Sequence, residues 1–130
     1  MERLLEYAQE LRGRGLTRGE LIAAVQEELK NRCRYSTNLD TVPQGEDFAE
    51  YFFFESQEGF CTHFATTAVL LYRMAGLPAR YRTGYVVPVQ SFQQQENGSW
   101  EAEVMDSQAH AWVEVYLSGY GWIPVEVTPG

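Results

Sequence analysis

The chain is organised around residues 58–78, which read EGFCTHFATTAVLLYRMAGLP. From Phe60 onward, apolar residues recur at intervals of three and four, the period of a helix with one buried face. Gly76 and Pro78 supply a stop signal at the C-terminal end of this pattern. The stretch therefore predicts a helix that carries Cys61 in its first turn.

The position of Cys61 is the first indication of an enzyme. N–H groups at the start of a helix lack acceptors and carry partial positive charge, so a thiol placed there is biased toward thiolate, the form that attacks carbonyls. Gly59 is expected to let the chain approach the helix closely and leave the sulfur uncovered. A lone cysteine in a helix is more often buried core filler, so its position does not by itself make Cys61 a nucleophile.

The composition indicates one globular domain, because 130 residues with 45% hydrophobic content suffice for a single core. A formal net charge of −8 argues against nucleic acid, phosphate or anionic lipid as a partner. The chain contains neither a signal peptide nor an apolar run of about 20 residues, so as given it is expected to be soluble. Both ends interrupt regular patterns, which suggests that residues 1–130 are a single domain excised from a longer protein.

The first half of the chain predicts helices. Apolar residues from Leu4 to Leu11 form one amphipathic helix, and a capping box from Thr17 to Glu20 begins a second. Asp47 caps a brief helix whose aromatic run, residues 51–54, is expected to pack beneath the cysteine helix. Cys33 falls on the apolar face of the second helix, so it is interpreted as buried filler and not as half of a disulfide.

The second half predicts strands, because the period changes to two. The predicted strands are residues 79–87, 100–105, 110–117 and 122–127, with a solvated polar loop over 91–98. Gly84 is expected to mark a bulge. Helices first and antiparallel strands second indicate an α+β fold.

A cysteine nucleophile needs a base, and the chain has two histidines. His63 lies two residues after Cys61, a rotation of about 200° on a helix, so their side chains point apart. His110 begins a predicted strand, from which an imidazole can be aimed across a groove at the start of the helix. His110 is therefore the candidate base, although a histidine considered alone is more often structural.

The base needs a carboxylate to orient it, and the candidates are Asp106, Glu114 and Glu126. Glu114 lies roughly 13 Å along the strand from His110, which is too far. The position of Glu126 depends on the register of the final hairpin.

A three-residue turn, Ser118–Tyr120, sets that register with Leu117 opposite Gly121. Glu126 then stands opposite Trp112 and diagonal to the histidine, at a Cβ separation of about 7 Å or less. A slip of one residue would put Glu126 on the wrong face and leave Asp106 as the fallback.

These motifs, in this order, resemble the transglutaminase-like core domain of the papain-like cysteine enzymes. The resemblance runs from about Phe52 to the end of the chain. It is carried by Gly59-Phe60-Cys61, Gly76-Leu77-Pro78-Ala79-Arg80, Gly84-Tyr85, His110-Ala111-Trp112-Val113-Glu114 and Gly121-Trp122-Ile123-Pro124-Val125-Glu126-Val127-Thr128.

The resemblance implies a papain-like fold, in which a central helix with cysteine at its start packs on an antiparallel sheet. It also implies Cys61 as nucleophile, His110 as base and Glu126 at the position where the family usually has aspartate. The implied reaction is acyl transfer from a peptide or protein amide through a thioester, with no cofactor and no metal. The Cys61 N–H is one expected oxyanion donor and the Gln57 side chain a candidate second. Bacterial domains of this kind are often extracytoplasmic parts of membrane proteins, so any membrane attachment is expected through the parent chain.

Two other hypotheses remain open at this point. One is a catalytically silent binding or scaffold module, which the glutamate at position 126 supports. The other is a metal site at Cys61, His63 and His110, which the opposed directions of the first two side chains disfavour. The sequence leaves open hydrolysis versus cross-linking, and it leaves open the oligomeric state.

Overall fold

The computed structural model describes residues 1–39, 41–85, 90, 92–102 and 109–129. Within these ranges the helices are α1 (Glu2–Gly13), α2 (Arg18–Arg32), α3 (Phe48–Tyr51) and α4 (Cys61–Met74). The strands are β1 (Arg34–Tyr35), β2 (Glu58–Gly59), β3 (Ala79–Tyr85), β4 (Gln93–Gln94), β5 (Trp100–Glu101), β6 (Ala109–Leu117) and β7 (Gly121–Val125). None of the described helices is both long enough and apolar enough to cross a membrane.

The main sheet has three antiparallel strands in the order β3-β6-β7, so β6 is central. Strands β1 and β2 pair in parallel, and β4 pairs with β5 in a separate short hairpin. Helix α4 packs on β3 and β6 on one side and on α1 and α2 on the other. The predicted α+β fold, with the cysteine helix at its centre, is confirmed.

The core lies on both sides of α4, which explains why this helix is apolar around most of its circumference. Tyr72 is fully buried, and its hydroxyl donates to the Ile22 carbonyl at 3.0 Å, which ties α4 to α2. The buried side chains that surround α4 include Leu4, Ala8, Leu11, Val25, Leu29, Phe52, Phe64, Ala68, Leu71, Val113 and Val115.

The predicted helix starts are also confirmed. Thr17 Oγ1 accepts from the Glu20 N–H at 3.1 Å, and Glu20 Oε1 accepts from the Thr17 N–H at 2.9 Å, which completes the capping box of α2. Asp47 Oδ1 accepts from the Glu50 N–H at 3.0 Å at the start of α3. Each cap satisfies N–H groups that the helix itself leaves without acceptors.

The aromatic run continues α3 as a π-helical turn over Phe52–Ser56, which the Gln57 N–H closes on the Phe52 carbonyl at 2.9 Å. Phe52 meets Phe64 of α4 edge to face, with ring centroids 5.1 Å apart, as the sequence predicts. Phe53 instead contacts Tyr7 of α1 at 5.1 Å. The run therefore fills the space between α1 and α4.

Two expectations about the strands are wrong. Gly84 is not a bulge, because β3 and β6 pair without interruption from Ala79 opposite Val115 to Tyr85 opposite Ala109. The polar segment is not only loop, because Gln93–Gln94 forms β4 and pairs with β5. Residues 86–89, 91 and 103–108, which include parts of the first two predicted strands and Asp106, lie outside the described residues.

The register predicted for the final hairpin is confirmed. Leu117 pairs with Gly121, and Val113 pairs with Val125. Continuing the same register by one residue puts Glu126 opposite Trp112. The three-residue turn therefore determines which residues after β7 lie beside the start of β6.

Candidate active site

Cys61 is the first residue of α4, as predicted, and its side chain is partly exposed. Strand β2, which precedes Cys61, is held by its parallel pairing with β1. The Arg34 N–H donates to the Gln57 carbonyl and the Ser36 N–H donates to the Gly59 carbonyl, each at 2.8 Å. These bonds fix the segment that delivers Cys61 to the start of the helix.

The first turn of α4 leaves backbone donors near the sulfur. The Phe60 carbonyl accepts from the N–H groups of His63 and Phe64 at 2.9 and 3.2 Å. The N–H groups of Cys61 and Thr62 are the remaining first-turn donors, with no acceptor inside the helix. Donors in this position can stabilise an oxyanion.

Gln57, the candidate second oxyanion donor, is held within the π-helical turn, and its role at an oxyanion stays a prediction. Its Nε2–H donates to the Phe53 carbonyl at 3.2 Å, and its backbone is left-handed with φ 54°. The side chain therefore helps to close the π-helical turn.

His63 is turned into an aromatic cluster. Its Nδ1 accepts from the Phe60 N–H at 3.2 Å, and its ring lies 4.7 Å from those of Phe48 and Phe60 and 5.4 Å from that of Phe52. The side chain is 9% exposed, and burial lowers its pKa from the ordinary value. His63 is a neutral structural histidine, and it points away from Cys61 as its angle on the helix predicts.

This burial makes stability depend on pH. The folded state binds the His63 proton less tightly than the unfolded chain does. The contribution of neutral His63 to the free energy of unfolding is therefore fully present above about pH 6.5 and declines below it, by at most about 1.4 kcal/mol per pH unit. His63→Asn keeps an acceptor for the Phe60 N–H but does not titrate, so it is expected to reduce the loss of stability between about pH 7.5 and about pH 5.5. Urea unfolding of both proteins at the two pH values measures this, and equal losses would contradict the assignment.

Gly59 lies against the first turn of α4. A Cβ at this position would be 2.5 Å from His63 Cβ and Cγ and 2.9 Å from Phe52 Cε1. The close approach predicted for Gly59 is thus confirmed, and its contact is with the His63 side chain.

Gly59→Ala is expected to destabilise the protein by about 1–3 kcal/mol, because His63 Cβ moves only with the helix backbone. Gly19→Ala is the matched control, since nothing lies within 4 Å of a Cβ at that position in α2. Urea midpoints compare the two variants. A Gly59→Ala protein as stable as Gly19→Ala would show that the first turn of α4 adjusts without cost.

His110 and Glu126 line the same cavity, which has a volume of about 480 Å³. The other described residues that line it are Tyr85, Trp112, Glu114, Pro124 and Val125. Cys61 lies at the start of α4 and is not among the described lining residues. The structure thus brings the predicted base and carboxylate to one cavity, and the meeting of sulfur and imidazole stays a prediction.

The backbone and the carboxylate of Glu126 are both held in place. Its Oε1 accepts from the Thr128 N–H at 3.0 Å, and its carbonyl accepts from Gln26 Nε2 at 2.9 Å. The described side chains include no hydrogen bond between Glu126 and His110. The orienting role of Glu126 therefore also remains a prediction.

Arg80 Nε–H donates to Glu114 Oε1 at 2.8 Å. Glu114 also accepts from Trp112 Nε1–H at 3.1 Å, and the bonds from Arg80 and then Trp112 hold the pKa of Glu114 below its ordinary value. Sequence reasoning rejected Glu114 as the partner of His110 and missed this network. The sequence did offer a signal for this network. Trp112 and Glu114 are two residues apart, so they lie on the same face of one strand, and Arg80 pairs with Glu114 from the neighbouring strand.

Cys33 differs from Cys61 in its surroundings. It is 4% exposed, and burial raises the pKa of its thiol to about 12. Both cysteines are free, which confirms that Cys33 is core filler.

A cysteine at the start of a central helix that packs on an antiparallel sheet is the arrangement of papain-like cysteine-enzyme folds. The sequence profile described as the Transglutaminase-like superfamily matches residues 5–127. The chain belongs to this family, which supports cysteine-dependent acyl transfer in general terms.

Two curated relatives are similar over most of this chain. One is the uncharacterized protein YebA of Bacillus subtilis, 39% identical over 111 residues that cover 84% of this chain and 15% of YebA. The other is a protein-glutamine gamma-glutamyltransferase of Pseudomonas aeruginosa, 32% identical over 121 residues that cover 93% of this chain and 17% of the relative. The chain thus spans less than a fifth of either relative.

The fold also matches a solved structure, the periplasmic domain of TgpA from Pseudomonas aeruginosa bound to ethylmercury. The TM-score is 0.77 at 30% identity, and the match covers 96% of this chain and 43% of that domain. Nearly all of this chain is therefore similar to part of a periplasmic domain.

Proposed function

We propose that this protein transfers acyl groups from glutamine side chains of proteins or peptides through a thioester on Cys61. His110 is the base and Glu126 orients it. The observation that carries this function is the shared cavity of His110 and Glu126 in a transglutaminase-like domain whose Cys61 begins α4. Glutamine as acyl donor is supported by the name of the Pseudomonas aeruginosa relative.

The reaction has two steps. The Cys61 thiolate attacks the amide carbonyl carbon, and the Cys61 and Thr62 N–H groups stabilise the oxyanion that forms. The C–N bond then breaks, protonated His110 gives its proton to the leaving nitrogen, and ammonia departs to leave a thioester. In the second step His110 takes a proton from the acceptor as it attacks the thioester, and the thiolate is released.

The acceptor decides the product. Water gives hydrolysis to glutamate, whereas a primary amine gives a new amide and therefore a cross-link. The match to a periplasmic domain supports an extracytoplasmic setting within a longer parent protein, where protein and cell-wall amines are available.

Mass spectrometry of a glutamine-containing peptide incubated with the protein and a labelled primary amine tests this function. We expect the peptide to exchange ammonia for the amine or for water. Iodoacetamide at neutral pH is expected to label Cys61 and abolish turnover, while Cys33 stays unmodified because it is buried.

Full turnover with Cys61 alkylated would contradict the role of the thiol. A Cys61 that reacts like an ordinary surface thiol in a protein without turnover would instead favour the silent binding or scaffold module. The two results are separated by measuring labelling and turnover on the same sample.

A further inference from the structure

Glu114 lies at the centre of a network on the sheet face that carries His110. Its Oε1 accepts from Arg80 Nε–H at 2.8 Å and lies 3.7 Å from Arg82 Nε, and its Oε2 accepts from Trp112 Nε1–H at 3.1 Å. The carboxylate side chain is 14% exposed. A partly buried carboxylate with a charged donor on one oxygen and an indole donor on the other has little freedom to move.

The indole of Trp112 is fixed at both ends. At one end of the indole, Trp112 Nε1–H donates to Glu114. At the other end the ring lies against Gly84, where an added Cβ would be 2.8 Å from Trp112 Cη2. Gly84 pairs with His110 across the two strands. The glycine therefore leaves room for the indole to lie along the strands beside the histidine.

The indole meets the His110 imidazole in an offset stack. The two ring planes differ by 19°, and their centroids are 6.2 Å apart, within the range of stacked aromatic pairs. A continuous set of contacts thus runs from Arg80 through Glu114 and Trp112 to the predicted base.

We propose that Glu114 is a positioning residue for His110 and acts through Trp112. This role rests on the proposed function, because it concerns the orientation of the base. Glu114 fixes the indole, the indole limits the rotation of the imidazole, and the imidazole stays aligned for proton transfer. Small misplacements of a catalytic group lower rates without weakening substrate binding equally.

Three variants separate positioning from charge. Glu114→Ala removes the acceptor, Trp112→Phe keeps a ring but removes the donor, and Glu114→Gln keeps an oxygen that can accept from the indole. We expect the first two to lower kcat by about tenfold or more with KM changed less than about twofold, and the third to retain most of kcat. The double variant Glu114→Ala with Trp112→Phe is expected to lose no more than either alone, because both break one interaction.

The imidazole itself gives a second readout. The chain has 2 histidines, so NMR of histidine-labelled protein shows two sets of ring signals, which His63→Asn assigns. Stacking on the indole shifts the His110 ring signals, and Glu114→Ala is expected to move them toward those of an unstacked histidine. Glu10→Ala is the control, since it removes a carboxylate from an arginine pair on α1 and should change neither readout.

Unchanged His110 signals and kcat in Glu114→Ala would overturn the positioning role. A loss of kcat in Glu114→Ala that leaves the His110 signals in place would also overturn it. If Glu114→Ala does not fold, Trp112→Phe and Glu114→Gln decide the question. Failure of the proposed function is distinguishable, because then His110→Ala itself leaves turnover unchanged.

Discussion

Replacing His110 with alanine is expected to lower the kcat of acyl transfer by about 10³-fold. Without the imidazole, no group protonates the leaving nitrogen or takes the proton of the acceptor, and general acid–base catalysis of this kind contributes about 10²- to 10⁴-fold. Steady-state kinetics with the glutamine peptide measures kcat and KM. Alkylation of Cys61 by iodoacetamide in the same variant should slow as well, because the base no longer supports the thiolate.

The matched control is His63→Asn, which changes the other histidine. Since His63 is buried among Phe48, Phe52 and Phe60, its replacement should leave kcat within about twofold while altering stability. Equal losses in the two variants would show that the effect of His110→Ala is structural. An unchanged kcat in His110→Ala would remove the base from the mechanism.

Glu126→Gln is expected to lower kcat by about 10²-fold. The amide keeps an oxygen for the Thr128 N–H, which holds the side chain at 3.0 Å, but it removes the negative charge that would stabilise the imidazolium. Glu126→Asp restores the charge with a shorter side chain, at the position where the family usually has aspartate. We expect this variant to retain activity within about tenfold of the original protein. Steady-state kinetics and urea unfolding of both variants measure these effects.

Glu10→Gln is a suitable comparison, because Glu10 forms an exposed ion pair with Arg14, far in sequence from the hairpin. Full activity in Glu126→Gln would show that the carboxylate does not orient His110. The orienting group would then have to be sought elsewhere, with Asp106 as the sequence-based alternative.

The helices and the hairpin could be predicted from sequence because their signals are local. The capping box at Thr17 and the period of α4 each involve residues within a few turns of one helix. The register around Gly121 follows from the length of one turn, and this register carries Glu126 to the cavity of His110. The shared cavity of His110 and Glu126 was therefore within reach of sequence reasoning, although these residues lie on different elements.

Gly84 and Gly59 show what local sequence patterns leave out. Gly84 fits a bulge by sequence alone, yet its strand is regular and the missing side chain leaves room for Trp112. Gly59 was expected to allow a close approach to the helix, which is confirmed, and the structure adds that the contact is with His63. In both cases the reason for glycine is a ring that packs against the backbone, and no local pattern encodes that ring's position.

By itself, the sequence determined the order of helices and strands, the place of Cys61 at a helix start, and the pairing of the last two strands. Periodicity, caps and turn length specify these features through neighbouring residues. Only the tertiary structure decided that His63 is buried among aromatic rings, that Trp112 donates to Glu114, and that the Trp112 and His110 rings stack. Such contacts arise when separate elements pack together, because the space left between them selects the side-chain directions.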